Sequence, residues 1–171
     1  MVALSDAQDL KPIARLSVCE LLKQPSKFNG RVIELRGIYF VGGHGLYLAG
    51  AGCEAALVTK DKRWEPMIWV ENSREKTESR GLNFERVKKT ELEIATAKFR
   101  EMSRRGVWAN KISQVIVTYL CIFETHDSFD TMIGALADDI PVPIGFGDQG
   151  VAPGQIFIDS VKDIVVKFEG D

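Results

Sequence analysis

The chain has 171 residues, of which 45% are hydrophobic and 27% charged, and its formal net charge is -2. That length and balance fit one soluble globular domain whose core needs no staples to fold. The slight acidity excludes a global positive field for a nucleic-acid backbone, and no apolar run of ~18 residues is present to form a transmembrane helix.

Residues 1–15, MVALSDAQDLKPIAR, read as an N-terminal extension ahead of a single domain over 16–171. The segment has neither a basic n-region nor an apolar h-region, so a cytoplasmic protein and a processed, exported form both stay open. A short helix is predicted over 16–23. Leu16, Cys19 and Leu22 share one face, Val18 and Leu21 widen it, and Ser17 with Glu20 makes a capping box. Pro25 stops that helix, and Asn29-Gly30 supplies a turn. A long strand follows, with Ile33, Leu35, Gly37 and Tyr39 on one face and Glu34, Arg36, Ile38 and Phe40 on the other. A glycine inside a strand marks a bulge or sharp bend, as a small barrel needs in its first strand.

Residues 41–52, VGGHGLYLAGAG, predict a glycine-rich hairpin loop and a short strand around Leu46-Tyr47-Leu48. Cys53–Thr59 and Met67–Glu71 read as further strand pieces, joined by a loop KDKRWEP, and 73–81 as polar surface. Over 83–105 the period changes: Leu92, Ala95, Phe99 and Met102 predict a long helix ending at Gly106. Lys111–Thr125 is β-branched and aromatic on both faces and predicts a buried strand. Residues 126–154 form a loop of ~29 residues, long enough to require a crossing segment with a short helical piece near Thr131–Ala137. The last strand begins at Gly154 and is expected to bulge between Ser160 and Asp163.

Three stretches, SVCELL…P…FNGRVIELRGIY, GAGC and GFGDQGVAPGQIFIDSVKDI, resemble a group of uncharacterised small bacterial proteins with an OB-like barrel. The resemblance covers about a third of the residues but brackets nearly the whole chain. It implies a β-rich α+β fold: a five-stranded OB-like Greek-key barrel, a short N-terminal helix, and a long helix inserted between strands three and four. Relatives of this kind often carry export leaders and have no assigned activity.

The candidate sites follow from this frame. Cys121 lies in the most apolar strand and reads as core. Cys19 and Cys53 both fall at one barrel end, so either a disulfide, as an exported protein would carry, or two buried thiols fits them. No metal is expected, since no CxxC occurs and His44 and His126 are far apart. His44, flanked by glycines, reads as a ligand contact, a general base or a solvated loop residue. His126 with Asp127 and Asp130 reads as an acid–base group or a polar turn. No GxSxG elbow or phosphate loop is present. Barrels of this type bind on the face of strands two and three. Here that face offers Tyr39, His44, Tyr47, Lys60, Lys62, Arg63 and Trp64, with Arg36 and Trp69 nearby, unless Tyr39 and Trp69 belong to the core.

Three function classes result. The first is a non-enzymatic binding or interaction domain, without cofactor, for a protein or small ligand. The second is a single-stranded nucleic-acid binder, which needs exposed aromatics beside basic residues and which the acidic charge disfavours. The third is a small hydrolase using the 126–150 loop. Nothing in the sequence assembles a catalytic set, so the first class is the reading taken forward.

Overall fold

The computed structural model describes residues 12–42, 45–53, 57–59, 62–83, 85, 112–126, 131–133, 141–143, 145–147 and 150–168. In chain order the elements are β1 (Ala14–Ser17), α1 (Val18–Lys23), α2 (Pro25–Phe28), β2 (Val32–Gly42), β3 (Gly45–Ala49), β4 (Val58–Thr59), β5 (Lys62–Arg63), β6 (Met67–Glu71), α3 (Arg74–Ser79), β7 (Ile112–Thr125), β8 (Thr131–Ile133), β9 (Pro141–Pro143) and β10 (Gly154–Phe168). The long helix predicted over 83–105 lies outside the described residues, apart from Asn83, which is not helical, and the helical Glu85.

Five strands close a ring. β2 pairs with β3, β3 with β6, β6 with β10, β10 with β7, and β7 returns to β2. Every seam is antiparallel except β6–β10, where Trp69 stands opposite Gln155 and Val70 opposite Ile156 in parallel register. The barrel interior is filled by alternate residues of these strands: Ile33 and Leu35, Leu48, Ile68 and Val70, Val117 to Phe123 in steps of two, and Ile156 and Ile158. This is the period-2 pattern of a surface apolar on one side.

The first helix begins two residues later than its spacing predicts. Leu16 and Ser17 complete β1, which runs parallel to β2 from Ala14 opposite Ile33 to Ser17 opposite Arg36. Strand and helix meet at Ser17, whose extended backbone makes it the N-cap. Its hydroxyl accepts from the Glu20 backbone N–H at 3.2 Å, and its own backbone N–H donates to the Glu20 carboxylate at 2.7 Å. The expected capping box is therefore present, and it pulls the Glu20 carboxyl below its usual range, chiefly through the backbone hydrogen bond. Val18, Leu21 and Leu22 turn inward and join the barrel core. Each such side chain contributes about 1.5–3 kcal/mol when fully buried.

Gly37 explains how β2 serves two neighbours. From Val32 to Ile38 the strand pairs with β7 without a break in register, and from Ile38 onward it pairs with β3. The predicted bulge is absent, and the glycine has a packing cause instead. A Cβ at this position would stand 2.9 Å from Val18 Cγ2, 3.1 Å from Leu48 Cβ and 3.1 Å from the Ala49 carbonyl oxygen. Residue 37 must be small because α1 and β3 converge on it. The bulges in the last strand do occur, between Ile158 and Ser160 and between Val161 and Asp163.

Two other segments differ from expectation. Thr131–Ile133 is not helical; it forms an antiparallel two-stranded ribbon with Pro141–Pro143. A ribbon tolerates those prolines because each strand needs only one paired edge. Among the described residues of 53–59, Val58 and Thr59 are strand, and they pair with Lys62 and Arg63 inside the segment read as a loop. The polar stretch after β6 forms α3, capped by Ser73 and tied back by Lys76 to the buried Glu71 carboxylate at 2.9 Å.

Candidate binding face on the outside of the barrel

One register row runs around the outer face. Phe40 stands opposite Tyr47, Tyr47 opposite Trp69, Trp69 opposite Gln155, and Gln155 opposite Glu124. Partners in register point to the same side of a sheet. Half of the row is therefore an aromatic strip and half is polar. The Tyr47 and Trp69 rings meet edge to face with centroids 5.1 Å apart, and Phe40 lies tilted at 6.3 Å from Tyr47. In the polar half, Gln155 donates to Glu124 at 3.0 Å, and Arg80, at the end of α3, pairs with the same carboxylate and lies over the Phe157 ring.

The aromatic strip is not open along its length. Tyr47 is 5% and Trp69 6% exposed, and both belong to a second apolar cluster with Ala152, Phe146, Val151 and Met67. The cover comes from the chain's own residues 145–147 and 150–152. Phe146 and Ala152 exchange backbone hydrogen bonds of 2.8 and 3.3 Å, closing this cover as a small loop. Gly145 and Gly147 make the close approach possible. A Cβ at Gly147 would stand 2.9 Å from Trp69 Cδ2, and one at Gly145 would stand 2.6 Å from Trp64 Cζ3. Gly147 has φ +85°, a region that a residue with a Cβ seldom adopts. The GFG at 145–147 therefore holds two tryptophans, a relation visible in the sequence only as two glycines spaced by one residue.

The predicted site residues fall apart accordingly. Tyr39 is half-buried against the barrel core, and burial raises its hydroxyl pKa. Tyr47 belongs to the covered strip. Trp64, read from the sequence as an exposed stacking surface, is 1% exposed, and its indole N–H donates to Thr59 Oγ1 at 3.0 Å. The charged neighbours Lys62 and Arg63 form β5 in the same short ribbon, and Arg63 is exposed. His44 and Lys60 lie outside the described residues. His126 is half-buried and stacks on Phe146 with centroids 4.4 Å apart, while Asp127 and Asp130 lie outside the described residues.

What remains open is the end of β2. Phe40 is 51% and Val41 66% exposed. Because successive residues point to opposite faces, the strand end is apolar on both sides where it leaves the barrel. Cys19 and Cys53 are joined by a disulfide, with their Cα atoms 5.4 Å apart. The bridge ties α1 to the turn after β3, and Gly50 leaves room for it, since a Cβ there would press on both sulfurs. Cys121 is a buried free thiol.

Among the described residues no group of three His, Cys, Asp or Glu gathers to hold a metal ion, and no helix is long and apolar enough to cross a membrane. No family model, no curated protein and no solved structure matches the chain.

Proposed function

We propose that the chain is an OB-like binding or interaction domain that recognises a protein segment through the end of β2 and carries no catalytic activity of its own. The ring order supports the OB-like part: the first, second, third, fifth and fourth barrel strands are neighbours in turn, with the third and fifth parallel. The exposed Phe40–Val41 pair carries the recognition part. It continues the aromatic row beyond the cover of Phe146, Val151 and Ala152, and apolar side chains at a strand end suit an extended segment of a partner.

The nucleic-acid reading loses support at its stacking surfaces. It needs several exposed aromatic faces in succession, whereas Trp64, Tyr47 and Trp69 are all buried and Phe40 alone of the aromatic row is open. The hydrolase reading draws no support from the described geometry of His126, whose ring stacks on the apolar Phe146.

The test is a selection from a random peptide library against the folded, oxidised protein, followed by affinity measurement on the wild type and on Phe40→Asp. Enriched peptides whose affinity falls about tenfold or more in the variant, with its melting temperature kept, support the reading; apolar anchors at interface centres commonly carry that much. Peptides that bind both proteins equally, or a selection that enriches none, refute it. A labelled single-stranded oligonucleotide is expected to show no anisotropy change even at low salt, where phosphate contacts are strongest.

A further inference from the structure

At the opposite end of β2 a hollow of about 570 Å³ is lined, among the described residues, by Pro12, Ile13, Ala14, Phe28, Val32, Ile33 and the charged Arg31. We propose that this hollow binds a small amphipathic anion, an apolar alkyl chain ending in a carboxylate. The site is separate from the Phe40–Val41 lip and does not rest on the reading above.

Three observations carry the proposal. The volume falls within the ~300–1,000 Å³ usual for small-ligand sites, which are mostly apolar with a few polar groups that fix orientation. The walls are apolar and partly open to water: Ile13 and Val32 are each 48% exposed, although both are large aliphatic residues in or beside a strand. Among the described residues the charge is of one sign: no acidic side chain lines the hollow, Arg31 is exposed at its margin, and Lys27 holds its ammonium 5.5 Å from the centre of the Phe28 ring that forms part of the wall. Apolar walls would take the alkyl chain, and a guanidinium at the margin offers a bidentate partner for a carboxylate.

The backbone fixes this arrangement. Gly30, at φ +70°, lets the chain turn out of α2 into β2, and its N–H donates to the Phe123 carbonyl at 2.8 Å. The Phe123 N–H donates to the Arg31 carbonyl at 3.1 Å. Arg31 is therefore held by its main chain against β7 while its side chain is left to the surface. Ala14 stands opposite Ile33 where β1 joins β2, which sets the wall across from Phe28.

The test compares decanoate, 1-decanol and decylamine at submillimolar concentration and neutral pH, using the full chain. The readouts are amide chemical shifts for location and calorimetry for affinity. Decanoate is expected to shift the amides of Ala14, Val32 and Ile33 and to bind about tenfold tighter than decanol, with decylamine weakest, as one charge-assisted hydrogen bond requires. Arg31→Gln should make acid and alcohol bind equally. Ile13→Asp should weaken both while leaving the ligand-free melting temperature within a few degrees, because Ile13 is half-exposed and precedes β1. Shifts centred elsewhere, absence of binding, or an acid preference that persists in Arg31→Gln would overturn the proposal.

Discussion

Replacing Gly37 by alanine tests why β2 carries a glycine where it passes between α1 and β3. The new Cβ would stand 2.9 Å from Val18 Cγ2, with Leu48 Cβ and the Ala49 oxygen both at 3.1 Å. Two of these neighbours belong to the barrel wall, and the third is a β-branched side chain with no exposed surface. None can retreat without moving α1 or β3. Overpacking of this kind costs about 1–3 kcal/mol. Alanine also reduces the freedom of the unfolded chain, which offsets about 0.4–1 kcal/mol. The expected net loss is therefore roughly 1–2 kcal/mol in urea denaturation followed by tryptophan fluorescence, with the m-value unchanged. Val18→Ala supplies the control. Alone it leaves a cavity, but in the double variant the Cβ at 37 occupies space that Val18 Cγ2 vacates. The two changes should then cost at least about 0.5 kcal/mol less together than the sum of their separate effects. Strict additivity, or an unchanged midpoint for Gly37→Ala, would refute the claim that close packing holds the glycine in place.

Other outcomes follow from the same geometry. Thiol titration of unfolded, unreduced protein should find one free thiol, Cys121; three thiols would remove the bridge. Because Cys19 and Cys53 are separated by 34 residues, reducing them should lower stability by roughly 3–4 kcal/mol in the chain-entropy model. Gly147→Ala should loosen the cover over Trp69, since the backbone there has φ +85°, costing about 1–2 kcal/mol and raising acrylamide quenching of tryptophan fluorescence; unchanged quenching would show that the cover does not depend on this glycine. The Glu20 carboxyl is held below the ordinary carboxylate range by its hydrogen bonds to Ser17. Its folded pKa is the lower one, so the stability it contributes is complete above the unfolded value and is lost as pH falls through the folded value. The melting temperature should therefore drop on acidification below that value, and drop less in Glu20→Gln.

Local rules made part of this molecule legible. The Ser17–Glu20 cap, the two faces of β2, the apolar β7 and the bulges of β10 all depend on residues close in sequence, where spacing carries the signal. The fate of the tryptophans does not. Trp64 sits between Arg63 and Glu65, a setting that reads as exposed, yet it is buried by a hydrogen bond to Thr59 and by Gly145, far along the chain. Trp69 lies in an alternating strand and points outward from the barrel, but the cover by Phe146, Val151 and Ala152 makes a second small core of it. An outward aromatic looks the same in sequence whether water or a distant loop lies over it. The ribbon of β8 and β9 was hidden for a related reason: the pairing that decides between turn and strand lies with a partner segment, not with Thr131–Ile133 itself.

The parallel seam between β6 and β10 also sets an order of events. Trp69 finds Gln155 only after β7 and the start of β10 have been made, so the barrel stays open until β10 emerges. The Cys19–Cys53 bridge spans 34 residues that all precede β6. In an oxidising setting the bridge is thus the early event and the seam the late one. A chain with its disulfide intact starts refolding with one long-range closure already made, and it should regain native fluorescence faster than the reduced chain, while truncation before β10 should abolish the transition altogether.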